Sequence, residues 1–294
     1  MKKPVFAGSS AAVITPFKNG KIDYDSFKRI IDMQKIAGTS ALTVCGTTGE
    51  ASTLRREERF ALIAYAKAFS DNIPVIAGSG SNSTEHAILF SLDAEKAGAD
   101  AVLVVTPYYN KATQKGLIEH YTAVADSVSI PVIVYNVPSR TGVSIKPETY
   151  LELSKHPNIN GVKEASGDFG LFTKTLSLCG DELNIWSGND DVIVPMMSLG
   201  AKGVISVAAN IIPAEIAGLV RLCEEGSFFE ASRLQLKFYS LISLLFSEVN
   251  PIPVKAAMNE LGICENELRL PLTEMTGKNR SLLIHEMRSL NLLN

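Results

Sequence analysis

The sequence has few cysteines and histidines, and this shortage excludes several classes of protein. Its four cysteines, Cys45, Cys179, Cys223 and Cys264, lie far apart and form no CxxC pair. The four histidines are equally dispersed, so no spacing is typical of a zinc site or of a dense disulfide framework. We therefore expect four reduced thiols, no metal site and a cytoplasmic location.

An excess of one charge sign and a long apolar run are also missing. The 28 basic and 31 acidic side chains give a net charge of −3 at pH 7, which removes the usual electrostatic support for a nucleic-acid partner. The first residues, MKKPVFAGSSAAVITPF, superficially resemble a signal peptide, but glycine, serine, threonine and proline interrupt the apolar stretch. We expect neither a signal peptide nor a membrane-spanning segment.

What is present is a series of short apolar runs, each followed by a polar loop and then by a stretch with helical periodicity. The runs are rich in valine and isoleucine and apolar at successive positions, which is typical of strands covered on both faces. They are AAVIT (11–15), SALTVC (40–45), PVIAG (74–78), AVLVV (101–105), PVIVY (131–135), NGVK (160–163), LNIWS (183–187) and GVISV (203–207).

Between these runs the apolar residues recur with a period of 3.6, for example over 25–37, 55–69 and 83–97. The third stretch begins at a capping residue, Ser83 or Thr84. Eight such units in 294 residues predict an α/β fold, a (β/α)8 TIM barrel. A doubly wound open sheet is the alternative, and the barrel is favoured because no GxGxxG follows the first strand.

The strand pattern stops after residue 225. Residues 228–248, 253–262 and 279–292 have helical patterns instead. We therefore predict that residues 1–225 form a barrel that carries the active site. Residues 226–294 are expected to form a C-terminal helical extension packed on the barrel.

Small and polar residues follow nearly every predicted strand. In a barrel these loops form the face where active sites lie, although turns by themselves account for some of the glycine, asparagine and serine. The segments are GTTGE (46–50), GSGSN (78–82), TPYYN (106–110), NVPSRTG (136–142), EASGD (164–168), SGNDD (187–191) and SVAAN (206–210).

Lys163 is the most informative single residue, because it closes an apolar strand at the end that faces these loops. A lysine in an apolar pocket loses hydration, so its pKa falls and the neutral amine becomes available. A neutral amine attacks a ketone and forms a Schiff base, which acts as an electron sink. The alternative interpretation is a surface ion pair with Glu164 or another acid.

Four neighbours favour the catalytic interpretation. Tyr135 ends the preceding strand at the equivalent position, where a phenol can shuttle protons, although it could equally be an aromatic plug. Thr47 and Thr48 offer hydroxyl and N–H groups to a carboxylate, although GTTGE could simply be a βα turn. Arg140 can pair with a second carboxylate or face solvent. Together with Lys163, these residues describe a site for an α-keto acid and an acidic electrophile.

Five motifs together resemble the dihydrodipicolinate synthase family of the N-acetylneuraminate lyase superfamily, and the resemblance covers nearly the whole chain. It implies a class I aldolase that condenses pyruvate with L-aspartate 4-semialdehyde to 4-hydroxy-tetrahydrodipicolinate, at the entry to diaminopimelate and lysine biosynthesis. It also implies that no metal or organic cofactor is needed. The motifs are GTTGE (46–50), TPYYN (106–110), YNVPSRTG (135–142), KEASGD (163–168) and NPIPVK (250–255).

The resemblance also implies a role for each matching residue. Lys163 would form the Schiff base with pyruvate, and Tyr135 would be the central acid and base. Thr47 would link pyruvate to the proton relay, and Tyr109 would complete that relay across a subunit interface. The implied assembly is a homotetramer made of two tight dimers.

The remaining implied residues bind substrate. Thr48 would hold the pyruvate carboxylate together with Thr47, and Arg140 would bind the carboxylate of the semialdehyde. The backbone at Gly188 and Ile205 would help to shape the pocket.

Members of the family often carry an allosteric lysine site, and this sequence matches it only in part. Ser52, Asn82 and Tyr108 fit the pattern. Arg59 and His86 stand where lysine-sensitive members hold a histidine and a glutamate. A cation that faces a cationic effector is repulsive, and the missing acid removes a partner, so we hypothesise weak or absent feedback by lysine.

Two other interpretations stay open on the sequence. N-acetylneuraminate lyase or a 2-keto-3-deoxy sugar acid aldolase would share Lys163 and Tyr135, and the acids at 190–191 could bind a sugar. Arg140 and Tyr109 favour the synthase, because the sugar-acid lyases typically lack that arginine. A non-catalytic barrel that only binds a keto acid is the third possibility, and it predicts damage to the lysine or the tyrosine.

Overall fold

A computed structural model describes residues 2–293, and within them eight parallel strands close into a barrel. The predicted fold is therefore confirmed. The barrel strands are β1 (Gly8–Ala12), β4 (Ala41–Val44), β5 (Val75–Gly78), β6 (Ala101–Val105), β7 (Val132–Asn136), β8 (Ile159–Glu164), β9 (Asn184–Ser187) and β10 (Gly203–Ser206). Strand β10 pairs with β1 and closes the cylinder. A small antiparallel hairpin, β2 (Phe17–Lys18) and β3 (Lys21–Ile22), follows the first barrel strand and was not predicted.

The first strand is the one prediction among the eight that is misplaced, since the other seven agree within one residue at each end. The apolar run at 11–15 overlaps the strand only at Ala11 and Ala12, and its second half is buried beyond the end of the strand. Val13 and Ile14 are fully buried, but the N–H of Ile14 bonds to the side chain of Asn210 instead of a neighbouring strand. The ladder runs through small residues instead, with Ser10 opposite Ile205 on one side and Ala41 on the other.

Helices surround the barrel and continue beyond it. They are α1 (Tyr24–Ala37), α2 (Arg56–Phe69), α3 (Thr84–Lys96), α4 (Gln114–Ser127), α5 (Pro138–Thr141), α6 (Pro147–Ser154), α7 (Phe169–Cys179), α8 (Ile193–Ser198), α9 (Pro213–Glu224), α10 (Phe228–Lys237), α11 (Tyr239–Leu244), α12 (Ile252–Glu260) and α13 (Gly277–Ser289). Ser83 is the cap of α3, and its hydroxyl accepts a hydrogen bond from the N–H of His86. No helix within residues 2–293 is long and apolar enough to cross a bilayer.

The helix predicted over 228–248 is in fact two helices, α10 and α11. The chain leaves helical geometry at Phe238, which is buried, whereas Leu236 and Tyr239 on either side are exposed. The break coincides with the burial of Phe238 in the core. Periodicity over a long window could not show it, because each half keeps its own apolar face.

The core has two parts, and one of them fills the barrel interior. Trp186 of β9 stacks on Phe6 with ring centroids 5.0 Å apart, and its indole N–H donates to the Phe6 carbonyl. Tyr135 and Ile205 belong to this inner cluster. The larger cluster lies between strands and helices and includes residues of both the barrel and the C-terminal helices. The extension therefore shares the core of the barrel, and the division at residue 225 stays a prediction.

Candidate active site

Lys163 and Tyr135 face each other near the carboxyl ends of two neighbouring strands. The register of β7 and β8 places Tyr135 directly opposite Lys163. The Lys163 ammonium nitrogen lies 4.5 Å from the centroid of the Tyr135 ring, and both side chains are buried. The structure thus brings together the two residues that the sequence placed at equivalent strand positions.

Burial changes the acidity of Lys163. Loss of hydration lowers the pKa of its amine to about 8, and the positive charge of Arg140 acts in the same direction. The buried carboxyl of Asp190 opposes this, because a nearby negative charge favours the ammonium form. About a tenth of this amine is therefore neutral at pH 7, far more than for a lysine with its ordinary pKa, and the neutral amine is the form that a nucleophilic lysine requires.

The alternative interpretation of Lys163, an ion pair with Glu164, is wrong. Successive residues of a strand point to opposite faces, so Glu164 points away from the barrel interior. Its carboxylate accepts hydrogen bonds from the Asn136 amide, the Tyr150 hydroxyl and the Ser166 N–H at 2.7–3.1 Å. Glu164 is thus fully engaged on the helical side of β8, and no carboxylate of residues 2–293 forms an ion pair with Lys163.

The Tyr135 phenol stays protonated at neutral pH. Burial raises its pKa, while Arg140 and a hydrogen bond with the Thr47 side chain lower it. The two residues that lower this pKa, Arg140 and Thr47, are both predicted site residues. Tyr135 is therefore a buried proton donor in contact with a second hydroxyl, which is the arrangement that a proton relay needs.

The loop that carries Thr47 and Thr48 is fixed by the C-terminal extension. The Asn250 side-chain amide donates to the Thr48 hydroxyl at 3.0 Å, and both residues are buried. At the end of the loop, Glu50 forms a fully buried ion pair with Lys255 of α12. The GTTGE segment is consequently held by two contacts from residues more than 200 positions away.

Arg140 lies at the mouth of the site on the short helix α5. Its guanidinium donates to the Asn250 carbonyl at 3.4 Å, and its side chain is otherwise exposed. Asn250 therefore contacts both the predicted pyruvate loop and the predicted semialdehyde-binding arginine. The motif NPIPVK is visible in the sequence, but it indicates no role for Asn250. The two residues that Asn250 contacts, Thr48 and Arg140, are distant from it in the chain.

Of the two residues predicted to shape the pocket, Gly188 lies next to the lysine. A Cβ at Gly188 would lie 3.1 Å from Cγ and Cε of Lys163 and 2.7 Å from Cβ of Ala165. Only glycine therefore leaves room for the lysine stem at this point. Ile205 is fully buried in the barrel interior.

Asp190 has a place in the site that the sequence did not assign. The sequence indicates only a possible sugar ligand here, but the Asp190 side chain is buried, and one of its carboxylate oxygens accepts hydrogen bonds from the N–H groups of Val207 and Ala208 at 3.0 Å each. Burial raises the pKa of this carboxyl, and the charge of Lys163 opposes that rise. Asp190 is the acid that acts electrostatically on Lys163.

A cavity of about 490 Å³ opens at this face of the barrel. Eight of the predicted site residues line it: Ser52, Thr47, Arg59, Asn82, His86, Tyr108, Tyr135 and Arg140. The other five do not line it: Lys163, Thr48, Gly188, Ile205 and Tyr109. The Tyr109 side chain is 90% exposed and its backbone is left-handed, with φ 73°. Within residues 2–293, no group of three or more histidine, cysteine, aspartate or glutamate side chains is arranged to hold a metal ion.

Comparison of the sequence with known proteins gives consistent matches over the whole chain. The family model described as the dihydrodipicolinate synthetase family matches residues 5–289. A protein of Alkaliphilus oremlandii named 4-hydroxy-tetrahydrodipicolinate synthase is 51% identical, with 98% of this chain and 100% of that protein covered. A protein of Clostridium novyi with the same name is 48% identical, with 98% and 97% covered.

Solved structures agree with these matches. The dihydrodipicolinate synthase of Thermotoga maritima superposes with a TM-score of 0.97 at 42% identity, covering 98% of this chain and 100% of that one. The dihydrodipicolinate synthase of Aquifex aeolicus gives a TM-score of 0.96 at 45% identity, covering 98% and 99%. The barrel and its helical extension are thus shared with these proteins along their full length.

Proposed function

Because the chain belongs to the dihydrodipicolinate synthetase family, we propose that it condenses pyruvate with L-aspartate 4-semialdehyde to give 4-hydroxy-tetrahydrodipicolinate. It is an enzyme, a Schiff-base-forming lyase of diaminopimelate and lysine biosynthesis. The observation that carries the proposal is the buried Lys163 amine, whose pKa is lowered to about 8 and which faces Tyr135 at 4.5 Å. The names shared by the full-length relatives supply the substrate pair.

The first half-reaction forms the imine. The neutral Lys163 amine attacks the ketone carbon of pyruvate, whose carboxylate is held by the hydroxyl and N–H groups of Thr47 and Thr48. Tyr135 gives a proton to the carbinolamine oxygen, which leaves as water. The contact between Thr47 and Tyr135 supports this relay, since it links the carboxylate site to the proton donor.

The second half-reaction forms the new carbon–carbon bond. Loss of a methyl proton converts the imine to an enamine, which attacks the aldehyde carbon of the semialdehyde. Arg140 binds the carboxylate of that substrate, a role that its position at the cavity mouth supports. The amine of the adduct then displaces Lys163 as the ring closes, which restores the free lysine.

Two further roles complete the proposed site. Gly188 and Ile205 shape the pocket around the lysine, as the tight space at Gly188 supports. Tyr109 completes the relay in a neighbouring subunit, within a homotetramer made of two tight dimers in the cytoplasm. Its large exposed ring, which lines no part of its own chain's cavity, supports a contribution across an interface.

Feedback by lysine is weak or absent in this proposal. Ser52, Asn82 and Tyr108 line the cavity, but Arg59 and His86 line it too, and no carboxylate of the described chain does. A lysine ammonium group would thus meet a buried guanidinium without an acid to bind it. Strong inhibition by millimolar lysine in a steady-state assay would contradict this.

Trapping the imine tests the central step. Incubation with pyruvate and borohydride, followed by peptide mass analysis, is expected to give one reduced pyruvyl adduct, on Lys163. Lys255 is an internal control because it is equally buried but ion-paired with Glu50, so it should stay unmodified. Absence of an adduct, or an adduct on another lysine, would reject the mechanism.

A substrate comparison separates the synthase from its superfamily relatives. The enzyme should turn over pyruvate with aspartate semialdehyde and leave N-acetylneuraminate and 2-keto-3-deoxy sugar acids unchanged. Cleavage of either sugar acid at a comparable rate would favour the aldolase alternative. A trapped adduct without turnover of any of these compounds would favour the non-catalytic barrel.

A further inference from the structure

The outer face of β7 and β8 carries a buried pair of side chains directly behind the central pair of the active site. The strand register sets Tyr135 opposite Lys163, and one residue further along it sets the next two residues opposite each other. These are Asn136 and Glu164, and both are buried. Because successive side chains of a strand point to opposite faces, the first pair faces the barrel interior and the second faces the helices. A contact that fixes the outer pair therefore also fixes the backbone that carries the inner pair.

The Glu164 carboxylate receives four hydrogen bonds, all from neutral groups. The Asn136 amide donates to both carboxylate oxygens at 3.1 Å. The Tyr150 hydroxyl of α6 donates to one oxygen at 3.0 Å, and the Ser166 N–H donates to the other at 2.7 Å. Burial raises the pKa of this carboxyl, whereas these hydrogen bonds lower it. An ionised carboxylate only accepts, so it satisfies every one of these donors, whereas a glutamine would turn an N–H group toward one of them.

The Asn136 amide is held from its other side as well. Its side-chain oxygen accepts the Ile145 N–H at 3.2 Å, which leaves the amide N–H groups for Glu164. The Ala165 N–H also donates to the Asn136 carbonyl at 2.9 Å. Strand β7 ends at Asn136 and β8 ends at Glu164, so this side-chain pair joins the two strands at the point where the chain passes into the loops.

We propose that Glu164 is a positioning residue for Lys163 and Tyr135, and that it acts by joining the ends of β7 and β8 through Asn136. The proposal rests on the proposed function and adds to it a residue that touches no substrate. Imine formation needs the amine and the phenol at a fixed separation, which is 4.5 Å from the nitrogen to the ring centroid. A misplacement of about 1 Å in such a pair lowers the rate about 100-fold. A carboxylate with only neutral partners is unfavourable to bury, and its place behind the reacting pair gives the burial a reason.

The rate of borohydride-trapped imine formation with pyruvate tests the proposal on the intact oligomer. Glu164→Gln should slow this rate at saturating pyruvate by about tenfold or more, because the contact between the strand ends is disrupted. The pyruvate concentration that gives half of the maximal rate should stay within about threefold, since the proposed carboxylate ligands, Thr47 and Thr48, lie in a different loop. A purely structural loss would reduce the amount of folded protein and leave the rate constant of the folded fraction unchanged.

Exchanging the two side chains between the strands tests whether the pairing itself matters. In the double variant Asn136→Asp with Glu164→Gln, the new amide on β8 can donate to the new carboxylate on β7, which can still accept the Ile145 N–H. Its rate should return to within about threefold of the parent rate. Asn136→Asp alone places two carboxylates together, so this single variant should be slow.

Glu148→Gln is the matched control, since Glu148 is an exposed glutamate of α6 that pairs with Lys174 at the surface. It should leave the rate within about twofold of the parent. Circular dichroism and gel filtration establish that the variants are folded. If Glu164→Gln does not fold, Tyr150→Phe replaces it; this variant removes one of the four hydrogen bonds and should slow imine formation about threefold.

A folded Glu164→Gln protein with the parent rate, or a double variant no faster than Glu164→Gln, overturns the proposal. The parent rate in Tyr150→Phe, where that variant is the one tested, overturns it as well. The readout needs pyruvate alone, so turnover with aspartate semialdehyde tests the proposed function separately.

Discussion

At the scale of single residues, two buried lysines show how environment sets chemistry. Lys163 and Lys255 are both almost inaccessible to water, and burial lowers the pKa of both amines. Lys255 is paired with Glu50 and donates to the Glu267 carbonyl, so its charge has partners. Lys163 has no ion pair with any acid in the part of the chain that the structure describes, and Asp190 acts on it electrostatically. Lys163 is therefore available as a nucleophile, whereas Lys255 acts as a structural cation.

The pH dependence of imine formation follows from the amine of Lys163. The initial rate of borohydride-trapped adduct formation at low pyruvate should rise with pH and level off above a midpoint of about 8, as the neutral amine becomes dominant. Asp190→Asn should move this midpoint to lower pH, because the acid that favours the ammonium form is lost. Asp191→Asn, at an exposed neighbouring position, should leave the midpoint in place.

The same lysine is predicted to weaken the fold. A pKa lowered from 10.5 to about 8 corresponds to about 3 kcal/mol against the buried ammonium. The pKa of Lys163 is lower in the folded state than in the unfolded state. The loss of folding stability is therefore complete below pH 8, where the amine is charged in both states, and it disappears as the pH rises to 10.5. Lys163→Met should therefore raise the free energy of unfolding in urea at pH 7, by up to about 3 kcal/mol.

Measuring that difference at several pH values, at one protein concentration, is the check. The advantage of Lys163→Met should shrink between pH 8 and 10.5. A variant that is less stable than the parent at pH 7 would show that the lysine is not held in a penalised state.

At the scale of elements, the C-terminal extension positions the catalytic loop. The segment before α12 supplies Asn250, which donates to Thr48, and α12 supplies Lys255, which pairs with Glu50. Arg269 follows α12 and donates its backbone N–H to the other Glu50 oxygen at 3.1 Å. The extension thus holds both the middle and the end of GTTGE, and the barrel strands alone would leave this loop without these contacts.

Breaking the buried pair should be costly. Lys255→Met leaves the Glu50 carboxylate buried without its cation and should lower the free energy of unfolding by about 3–5 kcal/mol. The double variant Glu50→Gln with Lys255→Met removes both charges and should recover part of that loss. Lys28→Met provides the comparison, because the Lys28–Asp32 pair is exposed and should be worth under about 1 kcal/mol. Equal losses for Lys255→Met and Lys28→Met in urea unfolding would contradict this.

At the scale of the whole molecule, Tyr109 is the proposed relay residue that lies outside the cavity of its own chain. Its side chain is 90% exposed and lines no part of the cavity, although the preceding Tyr108 does. A bulky exposed ring in left-handed backbone is unusual on a surface that faces only water. The proposed tight dimer places this ring in the active site of the partner.

Mixing two defective variants tests that assembly. Lys163→Ala removes the nucleophile and Tyr109→Phe removes the proposed relay hydroxyl, so each homo-oligomer should have low activity. In a mixed tight dimer, the chain with an intact Lys163 receives an intact Tyr109 from its partner. Refolding the two variants together should therefore regain activity, measured as turnover of pyruvate with aspartate semialdehyde. Activity equal to the average of the separate variants would place Tyr109 in its own chain's site or outside the reaction.

Much of the fold could be predicted because strand and helix patterns are local. Seven of the eight strands agree with apolar runs, and the Ser83 cap of α3 was visible in the sequence. The failures have physical causes. The run at 11–15 is buried without being paired throughout, and the break at Phe238 depends on which face packs against the core.

The sequence by itself determined which chemistry is available: a strand-end lysine, a tyrosine one strand earlier, and hydroxyl and arginine loops at the same end of the barrel. These follow from the repeating strand–helix order, which sends every strand's carboxyl end to one face. Only the tertiary structure decided the contacts of Asn250, the buried pairing of Glu50 with Lys255 and the burial of Arg59. Those depend on contacts between distant segments, and no local pattern encodes which charges meet when the chain closes.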